Sequence, residues 1–263
     1  MRLPYYHVDA FTGELFSGNP AGVCPLDRWL PAGTLQHIAA ENNLSETAFF
    51  KPAENCYELR WFTPAVEVDL CGHATLAPAH VLFSELGHHE DAVRFQTASG
   101  MLTAMRRDGK IELDFPSRPP EACAVPDNLP RGLGAKPKEI LKARDYLAVF
   151  GSQAEVADLK PDFNLLSQLD CLGIIATAPG DKSDFVSRFF APRAGVPEDP
   201  VTGSSHCSLI PFWAARLGKK ELFARQISRR GGEIFCRLMG DRVGIAGRSV
   251  IYSRGELEVP EEA

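Results

Sequence analysis

The feature that most constrains this chain is an internal repeat. Arg60-Trp61-Phe62-Thr63-Pro64 precedes Cys71-Gly72-His73, and Arg188-Phe189-Phe190-Ala191-Pro192 precedes Thr202-Gly203-Ser204. Gly72 and Gly203 each open an apolar run of the same length, closing at Leu86-Gly87 and Leu217-Gly218. Downstream, Gly100 and Gly109 recur as Gly231 and Gly240, at the same offset that separates Gly72 from Gly203. One offset held over several punctuating glycines marks a duplicated unit. The expected organisation is therefore two similar halves, each one small domain long. They are residues 1–118, with the tail 248–263 packing back on this half, and residues 119–247. Pro116, Pro119, Pro120, Pro126, Pro130 and Pro137 mark 116–137 as the expected linker.

Strands outnumber helices in each half. Val93–Gln96, Met101–Met105 and Ile111–Phe115 read as short strands, with Asp108-Gly109 as a two-residue hairpin turn between the last two. Ile234–Leu238 and Val243–Ala246 repeat the theme around Gly240-Asp241. Leu35, Ile38 and Ala39 give a short helix one apolar face, ended at Asn42-Asn43, and Ala48-Phe49-Phe50 starts a strand. The two Gly-to-Gly segments are apolar around most of their circumference, as in a helix buried on all sides. The expected fold is α+β: two pseudo-symmetric halves, each a curled mixed or antiparallel sheet, barrel-like, around a central helix. Pro78 and Pro211 fall inside these helices, and a kink or a short first segment is expected there.

Composition removes several functions. The chain has 263 residues and a formal net charge of −6, which argues against nucleic acid as a partner. No apolar run approaches a membrane span, and the start, Met1-Arg2-Leu3-Pro4-Tyr5-Tyr6-His7, has no signal-like apolar region. Seven cysteines without a C-x-x-C pair indicate neither a zinc framework nor a disulfide scaffold. A cytoplasmic protein with no metal site is expected. Gly-x-Ser-x-Gly, phosphate-loop and dinucleotide-loop patterns are missing.

The helix starts carry the chemistry. A helix N-terminus presents unsatisfied N–H groups and partial positive charge, which suits a carboxylate or the charge that develops when a proton leaves carbon. Cys71, Gly72 and His73 sit at one start, and Thr202, Gly203, Ser204 and Ser205 at the other. Facing halves would point both starts into one cleft. A small carboxylated metabolite is the substrate such a cleft suits.

Four ordered stretches make the pattern specific: Gly18-Asn19-Pro20-Ala21-Gly22-Val23, Ser45-Glu46-Thr47-Ala48-Phe49, Leu70-Cys71-Gly72-His73-Ala74-Thr75-Leu76-Ala77 and Asp199-Pro200-Val201-Thr202-Gly203-Ser204. With His7-Val8-Asp9-Ala10-Phe11, they resemble the phenazine-biosynthesis isomerase (PhzF-like) family, which shares the diaminopimelate epimerase fold. The resemblance implies a cofactor-independent isomerase acting as a homodimer, with no metal, flavin or pyridoxal phosphate. It assigns general acid/base work to Glu46, with His73 and Asp199 as its partners in catalysis. Ser204 falls on the serine that ends the last motif, and Gly72, Gly203, Asn19, Cys71 and Thr202 line the substrate. A base near pH 7 must be positioned next to carbon, and burial can tune a carboxyl for that task.

Plainer roles stand beside these. Asp199, in Glu198-Asp199-Pro200, suits a turn or helix cap, and Ser204 can cap its own helix. Related amino-acid epimerases use two cysteines at the two helix starts. Cys71 matches the first, and a helix N-terminus would lower its pKa. Thr202 holds the second position, and a hydroxyl is too weak a base for that role, so the two-thiol mechanism is broken here and Cys71 reads as a packed small residue. A racemase or epimerase using Cys71 with another base is the alternative enzyme, and a catalytically silent metabolite-binding or interaction protein is the alternative outside enzymes.

Overall fold

A computed structural model of the chain describes residues 1–260. β1 (Arg2–Ala10) and β2 (Asn19–Pro25) pair antiparallel. The helix α1 (Ala32–Asn42) leads to β3 (Glu46–Pro52), which lies parallel to β2. β4 (Tyr57–Phe62) returns antiparallel to β3, and the two-residue β5 (Glu67–Val68) pairs on β4. The helix α2 (His73–Ser84) then leads to β6 (Ala92–Thr97), parallel to β4. β7 (Gly100–Arg107) and β8 (Lys110–Pro116) follow antiparallel.

The short β9 (Glu121–Ala122), α3 (Asn128–Leu133), β10 (Glu139–Lys142) and β11 (Tyr146–Val149) come next, with β10 antiparallel to both β9 and β11. After α4 (Gln153–Ala157) and α5 (Phe163–Leu166), β12 (Ile174–Pro179) lies parallel to β11. β13 (Phe185–Ala191) is antiparallel to β12 and carries β14 (Val196–Asp199). The helix α6 (Gly203–Leu217) leads to β15 (Glu221–Gln226), parallel to β13, and β16 (Gly232–Met239) pairs antiparallel with β15. β17 (Arg242–Gly247) precedes β18 (Ser249–Glu258), which is antiparallel to β1. This is a sheet-dominated α+β fold with few helices.

The chain divides into two compact units: Met1–Asp114 with the described residues from Ala246 onward, and Phe115–Ile245. The order of pairing senses from β2 to β7 (parallel, antiparallel, parallel across a helix, antiparallel) is the order from β11 to β16. The proline-rich stretch is not a free linker. The unit boundary precedes it, and it carries β9 and α3 within the second unit. Pro130 sits in the first turn of α3, where its missing N–H costs no helical bond.

In the first unit α2 packs against β1, β2, β3, β7 and β18 and is buried at every position from His73 to Ala79. That covering explains its apolar composition all round. Leu35 and Ala39 of α1 join Leu26, Phe49 and Phe62 in a separate core. In the second unit α6 packs against β15 and β16, with Phe212, Trp213 and Ala214 buried near its end. Asp108 and Gly109 both have positive φ, 49° and 70°, the signature of the two-residue hairpin turn.

The prolines do not shorten these helices: each runs without interruption through its proline. Pro78 has no N–H for the carbonyl of Ala74, and Pro211 has none for Cys207. Other donors take their place. The indole N–H of Trp61 donates to Ala74 O at 2.9 Å, and the backbone N–H of Arg118 donates to Cys207 O at 2.8 Å. With the freed carbonyls satisfied, a first segment need not break off.

Candidate active site

Three element starts bring one cluster together in the first unit. Asn19 opens β2, Glu46 opens β3 and His73 opens α2. β2 and β3 are parallel, with Ala21 opposite Glu46, so their first residues share one sheet end. Gly18 makes the preceding turn with φ of +70°, and a Cβ there would meet Ala10 O at 2.2 Å, so only glycine fits.

The centre of the cluster is a carboxylate against an imidazole. Glu46 Oε2 and His73 Nε2 lie 2.8 Å apart, with side-chain exposures of 17% and 5%. The contact is close but not aligned as a hydrogen bond: both atoms are buried, and neither has an aligned partner. The other ring nitrogen is engaged. His73 Nδ1 lies 3.1 Å from Asn19 Nδ2 and 3.5 Å from Cys71 Sγ. Ser45 Oγ donates to Asn19 Oδ1 at 3.1 Å, and Asn19 is fully buried.

The electrostatics follow from burial and neighbours. Burial alone would lower the pKa of His73, but the neighbouring Cys71 sulfur and Glu46 carboxylate reverse this and hold it well above the usual histidine value. Cys71 goes the other way from the expectation at a helix N-terminus. Burial, reinforced by Glu46, pushes its thiol up to about 11 despite the opposing effect of His73. The helix end is outweighed because this side chain is removed from water. Glu46, Cys71 and His73 offer one ligand atom each within 4.8 Å of one another. The imidazole, however, turns Nδ1 to the thiol and Nε2 to the carboxylate. Its two nitrogens thus face different groups.

The second unit gathers the other expected residues around the start of α6. Thr202, the N-cap, donates its hydroxyl to Asp199 Oδ2 at 2.5 Å. Gly203 is the first helical residue, and Ser204, half-buried, follows in the same turn. Gln226, at the end of β15 and 1% exposed, ties the turn down. Its Oε1 accepts from Thr202 N at 2.9 Å, and its Nε2 donates to Asp199 O at 2.7 Å. His206 Nδ1 donates to Thr202 O at 2.8 Å. The equivalent contact at α2 is Thr75 Oγ1 donating to Cys71 O, so each helix locks its first turn through the side chain four residues on. Sequence reasoning missed Ser45, Gln226 and His206 in these roles. The signals at hand were the repeat, which aligns Thr75 with His206, and the motif that Ser45 opens.

A family model for phenazine biosynthesis-like proteins matches residues 8–255. An uncharacterized isomerase of Pseudomonas aeruginosa is 51% identical over 259 residues, covering 98% of this chain and 100% of the relative. One from Halalkalibacterium halodurans is 49% identical over 263 residues, covering 98% and 99%. The crystal structure of a PhzF-family protein from Enterococcus faecalis aligns with a TM-score of 0.96 and 45% identity, over 98% of this chain and 100% of that one. The fold and these relatives define an isomerase. The chain belongs to the phenazine biosynthesis-like family.

Proposed function

We propose that this isomerase moves a proton between two positions of a small carboxylated metabolite, shifting a double bond or a tautomer, with Glu46 as the group that carries the proton. The observation behind this reading is the buried Glu46–His73 pair, whose facing atoms lie 2.8 Å apart and lack aligned partners. Buried polar atoms are nearly always satisfied, and an exception calls for a role. The role proposed here is proton transfer to and from a substrate held beside the pair. Glu46 as carboxylate takes the proton from one carbon, and the bonding electrons move into the substrate's π system. Glu46, now protonated, returns the proton at another position. The overall change is a rearrangement of one molecule, and its balance calls for no redox group or co-reactant.

By resemblance, Asp199 shares in catalysis or orients the substrate. Gly72, Gly203, Thr202 and Ser204 supply helix-start contacts for a carboxylate. The same resemblance supports a sheet curled around α2 and another around α6, a cytoplasmic homodimer and cofactor-free turnover. Among the described residues no helix is long and apolar enough to cross a membrane. A thiol base at Cys71 is disfavoured, because a group pushed up to about 11 is a thiol, not a thiolate, near neutral pH. The test is exchange of carbon-bound hydrogen in deuterated water across a panel of small amino, hydroxy and keto acids. Deuterium incorporation by wild type supports the reading, and tight binding of a panel member without incorporation favours the silent binding protein.

A further inference from the structure

We propose that Asn19 is a positioning residue that places the ring proton of His73 on Nε2, facing Glu46, and does not itself touch substrate. The inference rests on the reading of Glu46 as the proton carrier and gives the neighbouring motif a part in it.

The argument begins with burial. Asn19 is fully buried, and its amide lies against the His73 ring, leaving little surface for a ligand. Its orientation is held at the other end. Ser45 Oγ donates to Oδ1 at 3.1 Å, which turns the amide nitrogen, a donor only, toward His73 Nδ1 at 3.1 Å. Cys71 Sγ lies 3.5 Å from the same atom. A nitrogen that faces a group able only to donate must present its lone pair. In the neutral ring the proton then resides on Nε2, 2.8 Å from Glu46 Oε2.

The backbone fixes this arrangement from below. Asn19 pairs with Ala10 in the β1–β2 ladder, and the left-handed turn at Gly18 leaves no space for a Cβ against Ala10 O. Asn19 is thus carried on a rigid strand start, not on a mobile loop. The consequence for chemistry is local. With N–H at Nε2, the ring turns a proton, not a lone pair, to the side where Glu46 lies and where charge would develop on a substrate. With the proton on Nδ1 alone, Nε2 would turn a lone pair toward the carboxylate, and the two would repel. The titratable groups acting on the ring are Cys71 and Glu46.

The test reads the ring directly. Protein labelled with 15N-histidine is examined by imidazole NMR, with His73→Asn used to assign the signal. At a pH above the raised pKa of His73, where the ring is neutral, the wild-type spectrum is expected to show Nε2 protonated and Nδ1 bare, and this measurement needs no substrate. Asn19→Asp puts an acceptor opposite Nδ1 and is expected to move the proton there. Asn19→Ala, the milder variant, is expected to remove the preference. Both should lower kcat about 10- to 100-fold with KM nearly unchanged, the usual scale for residues that orient a functional imidazole. A wild-type ring protonated on Nδ1 and bare on Nε2 overturns the proposal. So does an Asn19→Asp ring unchanged from wild type, or a raised KM with kcat unaltered, which would mark a substrate contact. Failure of the Glu46 reading is separate: Glu46→Gln would then keep exchange activity, whatever the ring spectrum shows.

Discussion

Trp61→Phe should destabilise the protein through one carbonyl, and the loss should depend on Pro78. Trp61 is 1% exposed, and its indole N–H donates to Ala74 O at 2.9 Å. That carbonyl lost its intrahelical donor because residue 78 is proline. Phenylalanine keeps most of the apolar volume but has no donor. The orphaned buried carbonyl costs about 1–3 kcal/mol, and the smaller ring adds roughly 1 kcal/mol in lost burial. In a Pro78→Ala background the restored N–H can reach Ala74 O, so only the packing loss remains. The two substitutions should therefore couple by about 1–2 kcal/mol, within the range for residues sharing one hydrogen-bond network. Equilibrium urea unfolding of the four proteins, followed by far-ultraviolet circular dichroism, measures that coupling. Equal Trp61→Phe losses in the two backgrounds, within roughly 0.5 kcal/mol, would refute the reasoning. The result bears on function, because Ala74 follows His73 in the first turn of α2.

Three further outcomes are expected. His206 is buried, and burial lowers its pKa to about 4, against only partial compensation from Thr202 O. The unfolded chain therefore binds a proton at this residue between about pH 6.5 and 4 that the folded chain does not. Stability should fall across that window as pH drops, by up to roughly 3 kcal/mol. His206→Gln should flatten the fall, and an unchanged pH–stability curve would count against it. Gln226→Leu removes the contacts to Thr202 N and Asp199 O, so it should cost about 1–3 kcal/mol and speed hydrogen exchange at Thr202 N. Exchange as slow as in wild type would contradict that anchoring role. Gly18→Ala should cost more than 1 kcal/mol in thermal unfolding, from both the positive φ and the clash with Ala10 O. A neutral effect would mean the turn relaxes without strain.

The sequence made the skeleton legible where local chemistry decides it. Asp108-Gly109 specifies a turn by itself, and Asn43, at φ 48°, ends α1 as an asparagine can. The glycine spacing located α2 and α6 because each begins within a residue of its repeat glycine. What remained hidden depends on distant partners. The intact helices at Pro78 and Pro211 need Trp61 and Arg118, and no local rule supplies those donors. The helix start at Cys71 is visible in sequence, whereas the degree of burial that overrides its pull on the thiol is not. Glu46 and His73 were singled out through their motifs. The contact from Asn19 to His73, 54 residues away, and the hold of Gln226 on Thr202 required the fold.

The most direct measurement compares wild type with Glu46→Gln in deuterated water, using any acid from the panel that wild type turns over. Glutamine keeps the shape of the side chain but cannot accept a proton from carbon. The account predicts that wild type places deuterium on substrate carbon, while the variant folds, binds the same acid and exchanges at least 100-fold more slowly, as expected for loss of a general base. Exchange by Glu46→Gln at the wild-type rate would contradict the assignment of Glu46 as the proton carrier.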